Sequence, residues 1–168
     1  MTAVQIILGF VLVQRLVELA LARRNTERLL AAGGVEHGGE HYPYLVALHA
    51  AWLAALVFTV PVDTPANPFW LAVFILLQIA RIWVIASLGR FWTTRIITLP
   101  GAPLVARGPY RFTRHPNYLV VAAEIAVLPL VFGAWPIALV FSILNAVMLR
   151  TRIATEDRVL ADRRKRTT

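Results

Sequence analysis

Residues 116–149 read Pro-Asn-Tyr-Leu-Val-Val-Ala-Ala-Glu-Ile-Ala-Val-Leu-Pro-Leu-Val-Phe-Gly-Ala-Trp-Pro-Ile-Ala-Leu-Val-Phe-Ser-Ile-Leu-Asn-Ala-Val-Met-Leu. Two apolar runs, Pro116 to Phe132 and Trp135 to Leu149, are joined by Gly133-Ala134 alone. So short a joint permits only a reversal, and the two runs form a tight hairpin of shorter helices. Upstream lie three longer apolar stretches, Ala3 to Ala22, Tyr44 to Pro61 and Pro68 to Leu88. A bilayer core of about 30 Å needs ~20 helical residues, with about 17 as the lower end. The chain is 58% hydrophobic, above the roughly half of an ordinary soluble domain. The expected fold is an all-α integral membrane protein of about five transmembrane helices. Residues 1–168 form one membrane domain, with no soluble module and no repeat.

The charges set the expected orientation. Arg23, Arg24 and Arg28 follow the first apolar run, and Arg90, Arg95, Arg107, Arg111 and Arg114 precede Pro116. Arg150, Arg152, Arg158, Arg163, Arg164, Lys165 and Arg166 follow the last run. The segment Val62 to Asn67 and the Gly133 turn carry no basic residue. With five spans the three basic regions share one side. The positive-inside rule makes that side cytoplasmic and puts the N-terminus outside. The net charge of +8 then reflects topology and lipid head groups, and nucleic acid is not an expected partner. The first apolar run lacks a basic n-region and a small-residue cleavage site, so it reads as a retained helix. Phe69, Trp70 and Trp135 belong at the outer interface, where amphipathic rings are favoured.

Loop one, Arg23 to Pro43, holds Gly33-Gly34 and Gly38-Gly39 and ends in Glu36, His37, Glu40, His41 and Tyr42. The loop Gly89 to His115 is the longest and lies on the cytoplasmic interface ahead of helix four. Within it Ile96 to Leu99 and Leu104-Val105 flank Pro100-Gly101-Ala102-Pro103, the pattern of two short extended segments around a turn. Thr151 to Leu160 continues the last helix, and Arg163 to Thr168 reads as a frayed end. With no cysteine, there is no thiolate zinc site or cysteine nucleophile, and no metal site is expected.

Polar residues inside the spans are Gln14, Arg15, Glu18, His49, Gln78, Arg81, Glu124 and Asn145. Arg15 and Glu18 are i,i+3 and can pair on one face. Arg81 can snorkel to the interface, and His49 suits a buried, hydrogen-bonded histidine. Glu124 stands eight residues past Pro116, about 12 Å along the helix. A carboxylate at that depth is partnered, protonated or functional.

The stretch with most chemistry is Arg107-Gly-Pro-Tyr-Arg-Phe-Thr-Arg-His-Pro-Asn-Tyr118 at the entry to helix four. Ionisable groups so placed are costly and point to function. The tail Arg150-Thr-Arg-Ile-Ala-Thr-Glu-Asp157 puts Arg152 and Glu156 at i,i+4 on one face. As a solvated ion pair that spacing needs no function. The hairpin, however, sets the start of helix four beside the end of helix five. His115, Tyr118, Arg152, Glu156 and Asp157 therefore converge at one interfacial pocket.

Gly-Pro-Tyr-Arg, then Arg-His-Pro-Asn-Tyr, an apolar hairpin and Arg-Ile-x-x-Glu-Asp-x-x-Leu resemble the isoprenylcysteine carboxyl methyltransferase family. The resemblance is firmest over residues 89 to 160. Gln14-Arg15 with Glu18, and the His41 to His49 region, are similar to a bacterial branch associated with type III polyketide synthases. The family usually has Glu-Glu where this chain has Glu156-Asp157. The resemblance implies S-adenosylmethionine bound by about residues 89–160, at the cytoplasmic ends of the last helices. It implies Leu104 and Val105 at the adenine, and Tyr110, His115 and Tyr118 along the cofactor. Glu156 would bond the ribose or amino group, and Arg152 and Asp157 would face the methyl group and the acceptor.

The expected activity is methyl transfer to a lipophilic acceptor from a bacterial inner membrane. The acceptor is an alkylpyrone- or alkylresorcinol-type hydroxyl, or a prenylcysteine-like carboxylate. The branch adds a functional link to a type III polyketide synthase. Three alternatives remain open. A phospholipid N-methyltransferase would need a base, for which Glu124 is the candidate. Sterol reductases share a related C-terminal motif and use NADPH, but are larger. A non-enzymatic scaffold would bind no cofactor.

Overall fold

The apolar stretches become five α-helices in this computed structural model, which describes residues 1–165, with side chains through Ala161. They are α1 (Ala3–Ala31), α2 (Tyr42–Thr59), α3 (Pro68–Leu88), α4 (Pro116–Val131) and α5 (Trp135–Lys165). Strands β1 (Val35–His37) and β2 (Ile96–Thr98) pair antiparallel, with Glu36 opposite Ile97. Among the described residues, four helical segments are long and apolar enough to cross a membrane, and α4 is a shorter apolar helix. The protein is an all-α integral membrane protein.

Local chemistry sets several helix ends. Thr2 and Gln5 form a reciprocal capping box on α1, satisfying two orphan donors. Asn67 accepts from the amides of Phe69 and Trp70 at the start of α3. Its own amide donates to the Val131 carbonyl at 2.8 Å, tying that start to the end of α4. Gly133 has φ +68, a left-handed conformation that glycine adopts readily, and it makes the hairpin reversal. Phe69 and Trp135 are exposed at the starts of α3 and α5, as an interfacial aromatic belt requires.

The α4 helix, buried at Glu124, Ile125, Leu128 and Val131 among others, packs against α3 and α5. A helix so placed need not present a full-length apolar face to lipid, and its 16 residues span about 24 Å. The apolar core gathers Val4, Leu8 and Val11 of α1, Trp52 and Leu56 of α2, Phe74 of α3 and Leu128 and Val131 of α4. That core lies toward the end of the bundle holding the Gly133 turn. At the other end β1, β2 and the extension of α5 meet.

Three local expectations are revised. The first helix does not stop near Ala22 but continues to Ala31, so Arg23, Arg24 and Arg28 ride on a helical extension. Asn25, 3% exposed, holds that extension by donating to the carbonyls of Gly89 and Trp92. Second, Ile96–Thr98 pairs with Val35–His37 of loop one, while Leu104 and Val105 form no strand. Third, the last helix continues past Leu160, where its expected extension ends, and stays helical to Lys165 over 31 residues. The fraying expected from Arg163 onward concerns residues whose side chains are not described, and 166–168 lie outside the described residues.

Candidate active site

A cavity of about 480 Å³ opens where α4 begins and the α5 extension passes. Leu88, Phe91, Trp92, Leu99, Leu104 and Val105 form much of its apolar wall. Tyr110, Arg114, His115, Asn117, Tyr118, Arg152 and Glu156 supply its polar wall. The volume falls within the roughly 300–1,000 Å³ of small-molecule sites.

The Arg-Gly-Pro-Tyr-Arg segment is shaped by a close approach. Gly108 has φ +59, and a Cβ there would stand 2.1 Å from Ser87 Oγ. Glycine alone lets the loop lie this close to α3. Arg107 Nε donates to the Ser87 carbonyl at 2.8 Å. The turn Gly108–Arg111 then carries Tyr110 into the cavity wall. Burial and the Glu156 charge push the Tyr110 hydroxyl above its ordinary pKa, so it remains a neutral phenol at physiological pH.

Five polar side chains form one connected chain. Arg152 Nη2 donates to the Thr94 carbonyl at 2.5 Å, and Arg152 Nε donates to Tyr118 Oη at 3.1 Å. The Tyr118 hydroxyl donates to Glu156 Oε2 at 2.5 Å. Glu156 Oε1 stands 3.7 Å from His115 Nδ1, too far for a hydrogen bond, while His115 Nε2 meets Asp157 Oδ1 at 3.0 Å. The imidazole stacks on the Tyr118 ring, with centroids 5.4 Å apart. Arg152 and Glu156 do not pair directly as the i,i+4 spacing suggested; the Tyr118 hydroxyl sits between them. His115 Nδ1 and Asn117 Oδ1 are buried without a hydrogen-bond partner among the described residues.

The structure thus brings Leu104, Val105, Tyr110, His115, Tyr118, Arg152 and Glu156 to one cavity. Asp157 bonds His115 but does not line the wall. Glu124 is elsewhere. It is 1% exposed and belongs to a ring deeper in the bundle. Arg15 bridges Glu18 at 2.9 Å and Glu124 at 2.7 Å, and Arg81 bridges Glu18 at 2.5 Å and Glu124 at 2.8 Å. Gln14 donates to Glu18 and Gln78 to Glu124. Arg81, 6% exposed, does not snorkel, because both its carboxylate partners lie inside. His49 Nδ1 meets the Leu45 carbonyl at 2.9 Å, as expected.

Sequence reasoning missed the Thr94 carbonyl, since a backbone acceptor leaves no mark in residue type. It also missed the destination of the Glu36-to-Tyr42 cluster. Arg95 Nη1 donates to Glu36 at 2.8 Å, His37 meets Thr98 Oγ1 at 2.9 Å and Tyr42 meets Thr94 Oγ1 at 3.1 Å. These contacts pin loop one onto the segment that holds Arg152.

A family model described as isoprenylcysteine carboxyl methyltransferase matches residues 70–162. The chain is 38% identical over 161 residues to the uncharacterized protein YpbQ of Bacillus subtilis, covering 94% of this chain and 96% of that one. It is 25% identical over 166 residues to an uncharacterized protein of Haemophilus influenzae, covering 96% of each. No solved structure matches. The matched segment runs from α3 to the α5 extension and contains every cavity residue named above. The chain belongs to the isoprenylcysteine carboxyl methyltransferase family, and that membership makes it a membrane methyltransferase.

Proposed function

We propose that the protein binds S-adenosylmethionine in the 480 Å³ cavity and methylates an oxygen acid carried on a lipophilic molecule. The observation that carries this is the Arg152–Tyr118–Glu156 chain on the cavity wall, with His115 beside it. The donor set suits a nucleoside joined to an amino acid. Leu99, Leu104 and Val105 offer an apolar lobe for a base. His115 Nδ1 and Asn117 Oδ1 are unpaired groups of the kind that a polar ligand satisfies. Glu156 is placed for a ribose hydroxyl or an ammonium, and His115, held by Asp157, for a carboxylate.

When bound, the cofactor would supply an electrophilic methyl group on a sulfonium. The residues of this chain do the rest. Arg152 can hold an acceptor oxyanion. Tyr118 fixes the guanidinium from one side and the Thr94 carbonyl from the other, which sets its orientation before a ligand arrives. The apolar wall excludes water and so strips hydration from an anionic acceptor. We infer that this end of the bundle faces the cytoplasm, because the basic residues of loop one, the α3–α4 loop and the tail gather there. We take the membrane to be a bacterial inner membrane. The acceptors that fit are an alkylpyrone- or alkylresorcinol-type hydroxyl, which would link the enzyme to a type III polyketide synthase, and a prenylcysteine-like carboxylate. Glu124 is committed to two arginines and Gln78, so it is poorly placed to deprotonate a phospholipid amine.

Calorimetric titration of the detergent-purified protein tests the cofactor. S-adenosylmethionine and S-adenosylhomocysteine are expected to bind in the micromolar range and NADPH not to bind. Binding of NADPH alone would transfer the site to a reductase, and binding of none would favour a scaffold.

A further inference from the structure

The peptide that holds Arg152 is itself held from outside the cavity. Residues 92–95 form neither helix nor strand, and β2 begins only at Ile96. The Thr94 carbonyl, which accepts from Arg152 Nη2, is thus not aimed by a regular backbone ladder. It belongs to the planar unit between Thr94 and Arg95, so its direction follows from how those two residues are fixed.

Tyr42, the first residue of α2, grips both. Its hydroxyl meets Thr94 Oγ1 at 3.1 Å. Its ring lies against the Arg95 guanidinium, with Cζ 4.5 Å from the ring centroid, a cation–π contact. Glu36 completes the hold, accepting from Arg95 Nη1 at 2.8 and 3.0 Å. Tyr42 is half-buried and does not line the cavity, whereas Thr93, Arg95 and Arg152 do. It reaches a ligand there only through the residues it holds. Tyr42 and Glu36 also lie outside residues 70–162, the segment that the family model matches, so family membership gives them no role.

We propose that Tyr42 is a positioning residue for methyl transfer: it fixes the Thr94–Arg95 peptide and, through the Thr94 carbonyl, the direction in which Arg152 faces the cavity. This rests on the methyltransferase reading of the cavity. Arg152 has two hydrogen-bond partners among the described residues, Tyr118 and Thr94. Loosening one leaves the guanidinium to swing about the other. A swinging guanidinium spends less time in the productive geometry, which slows turnover and leaves cofactor binding intact.

The test uses four full-chain variants in membranes. Tyr42→Phe keeps the ring and removes the hydroxyl, and Thr94→Val removes its partner while keeping the carbonyl. The third combines the two. His37→Ala is the control, because His37 meets Thr98 Oγ1 and its loss loosens loop one away from Thr94. Methyl transfer from labelled S-adenosylmethionine into organic-soluble product is measured against cofactor concentration. Tyr42→Phe and Thr94→Val should each lower the maximal rate about tenfold, or about 1.4 kcal/mol in the barrier, at unchanged KM for S-adenosylmethionine. The double variant should lose no more than either single one, since all three remove the same bond. His37→Ala should keep the wild-type rate. Modification of Arg152 by phenylglyoxal, read by peptide mass spectrometry against Arg23, whose side chain is 83% exposed, reports the guanidinium without turnover. That ratio should rise in Tyr42→Phe and Thr94→Val and stay at the wild-type value in His37→Ala. A wild-type rate and ratio in Tyr42→Phe, additive losses in the double variant, or an equal loss in His37→Ala would overturn the proposal. A wild-type chain that neither binds S-adenosylhomocysteine nor transfers label would overturn the methyltransferase reading, and the modification ratio alone would then decide whether Tyr42 orients Arg152.

Discussion

The ring of Arg15, Glu18, Arg81 and Glu124 and the chain of Arg152, Tyr118, Glu156, His115 and Asp157 use similar residue types. Both include a residue of α4: Tyr118 and Glu124 are six residues apart, about 9 Å along the helix. Yet they are built in opposite ways. In the ring every guanidinium meets two carboxylates and every carboxylate two guanidiniums. The four charges cancel, and they come from three helices, so the ring ties α1, α3 and α4 together. In the chain at the cavity the count does not close. Arg152 has no carboxylate among the described residues, and His115 Nδ1 and Asn117 Oδ1 have no hydrogen-bond partner there. Buried atoms without a hydrogen-bond partner occur at the ring as well, at Gln14 Oε1, Arg15 Nε and Gln78 Oε1, so the difference lies in the charges: they balance in the ring, and the cavity keeps a guanidinium without a carboxylate among the described residues.

The contrast breaks most visibly if the ring is opened. Arg81→Met leaves Glu18 and Glu124 short of a partner inside the bundle, and it should destabilise the protein by about 3–5 kcal/mol. Thermal melting in detergent would read this, and an unchanged melting temperature would show that the ring is not structural. Glu156→Gln should do the reverse. It should leave melting nearly unchanged and reduce methyl transfer at least ~100-fold, about 2.7 kcal/mol in the barrier. Near-normal turnover would make the Arg152–Tyr118–Glu156 chain merely structural. His115→Ala should weaken cofactor binding about tenfold, or about 1.4 kcal/mol, which calorimetry would detect. Gly108→Ala should cost about 1 kcal/mol or more through its positive φ, with a further clash at Ser87 that Ser87→Gly should relieve in part. The smallest effect belongs to Arg95→Ala. Its partner Glu36 is half-buried and Arg95 itself is 40% exposed, so stability should fall by under about 1 kcal/mol.

The five helices were legible because length and hydropathy alone decide whether a segment spans a bilayer. The convergence of His115, Tyr118, Arg152 and Glu156 was legible too, since a two-residue turn leaves α4 and α5 no choice but to lie side by side. What stayed hidden depended on contacts between elements far apart in the chain. Arg81 read as a snorkelling residue because nothing local reveals that Glu18 and Glu124 lie within reach, 63 and 43 residues away. Leu104-Val105 read as the partner of Ile96 to Leu99, since an intervening turn is a local signal. The partner was Val35–His37 instead, whose glycine-rich flanks disguised a strand. The i,i+4 rule placed Arg152 and Glu156 on one face correctly but could not foresee a tyrosine hydroxyl between them.

The most direct test of methyl transfer at the open site uses membranes containing the wild-type chain, incubated with S-adenosylmethionine labelled on its methyl group. The extracted lipids are then counted, with Glu156→Gln membranes in parallel. Label should enter an organic-soluble product with the wild-type chain and fall to background with the variant. Equal label in both, from variant protein that melts like wild type, would contradict a catalytic site built on Arg152, Tyr118 and Glu156.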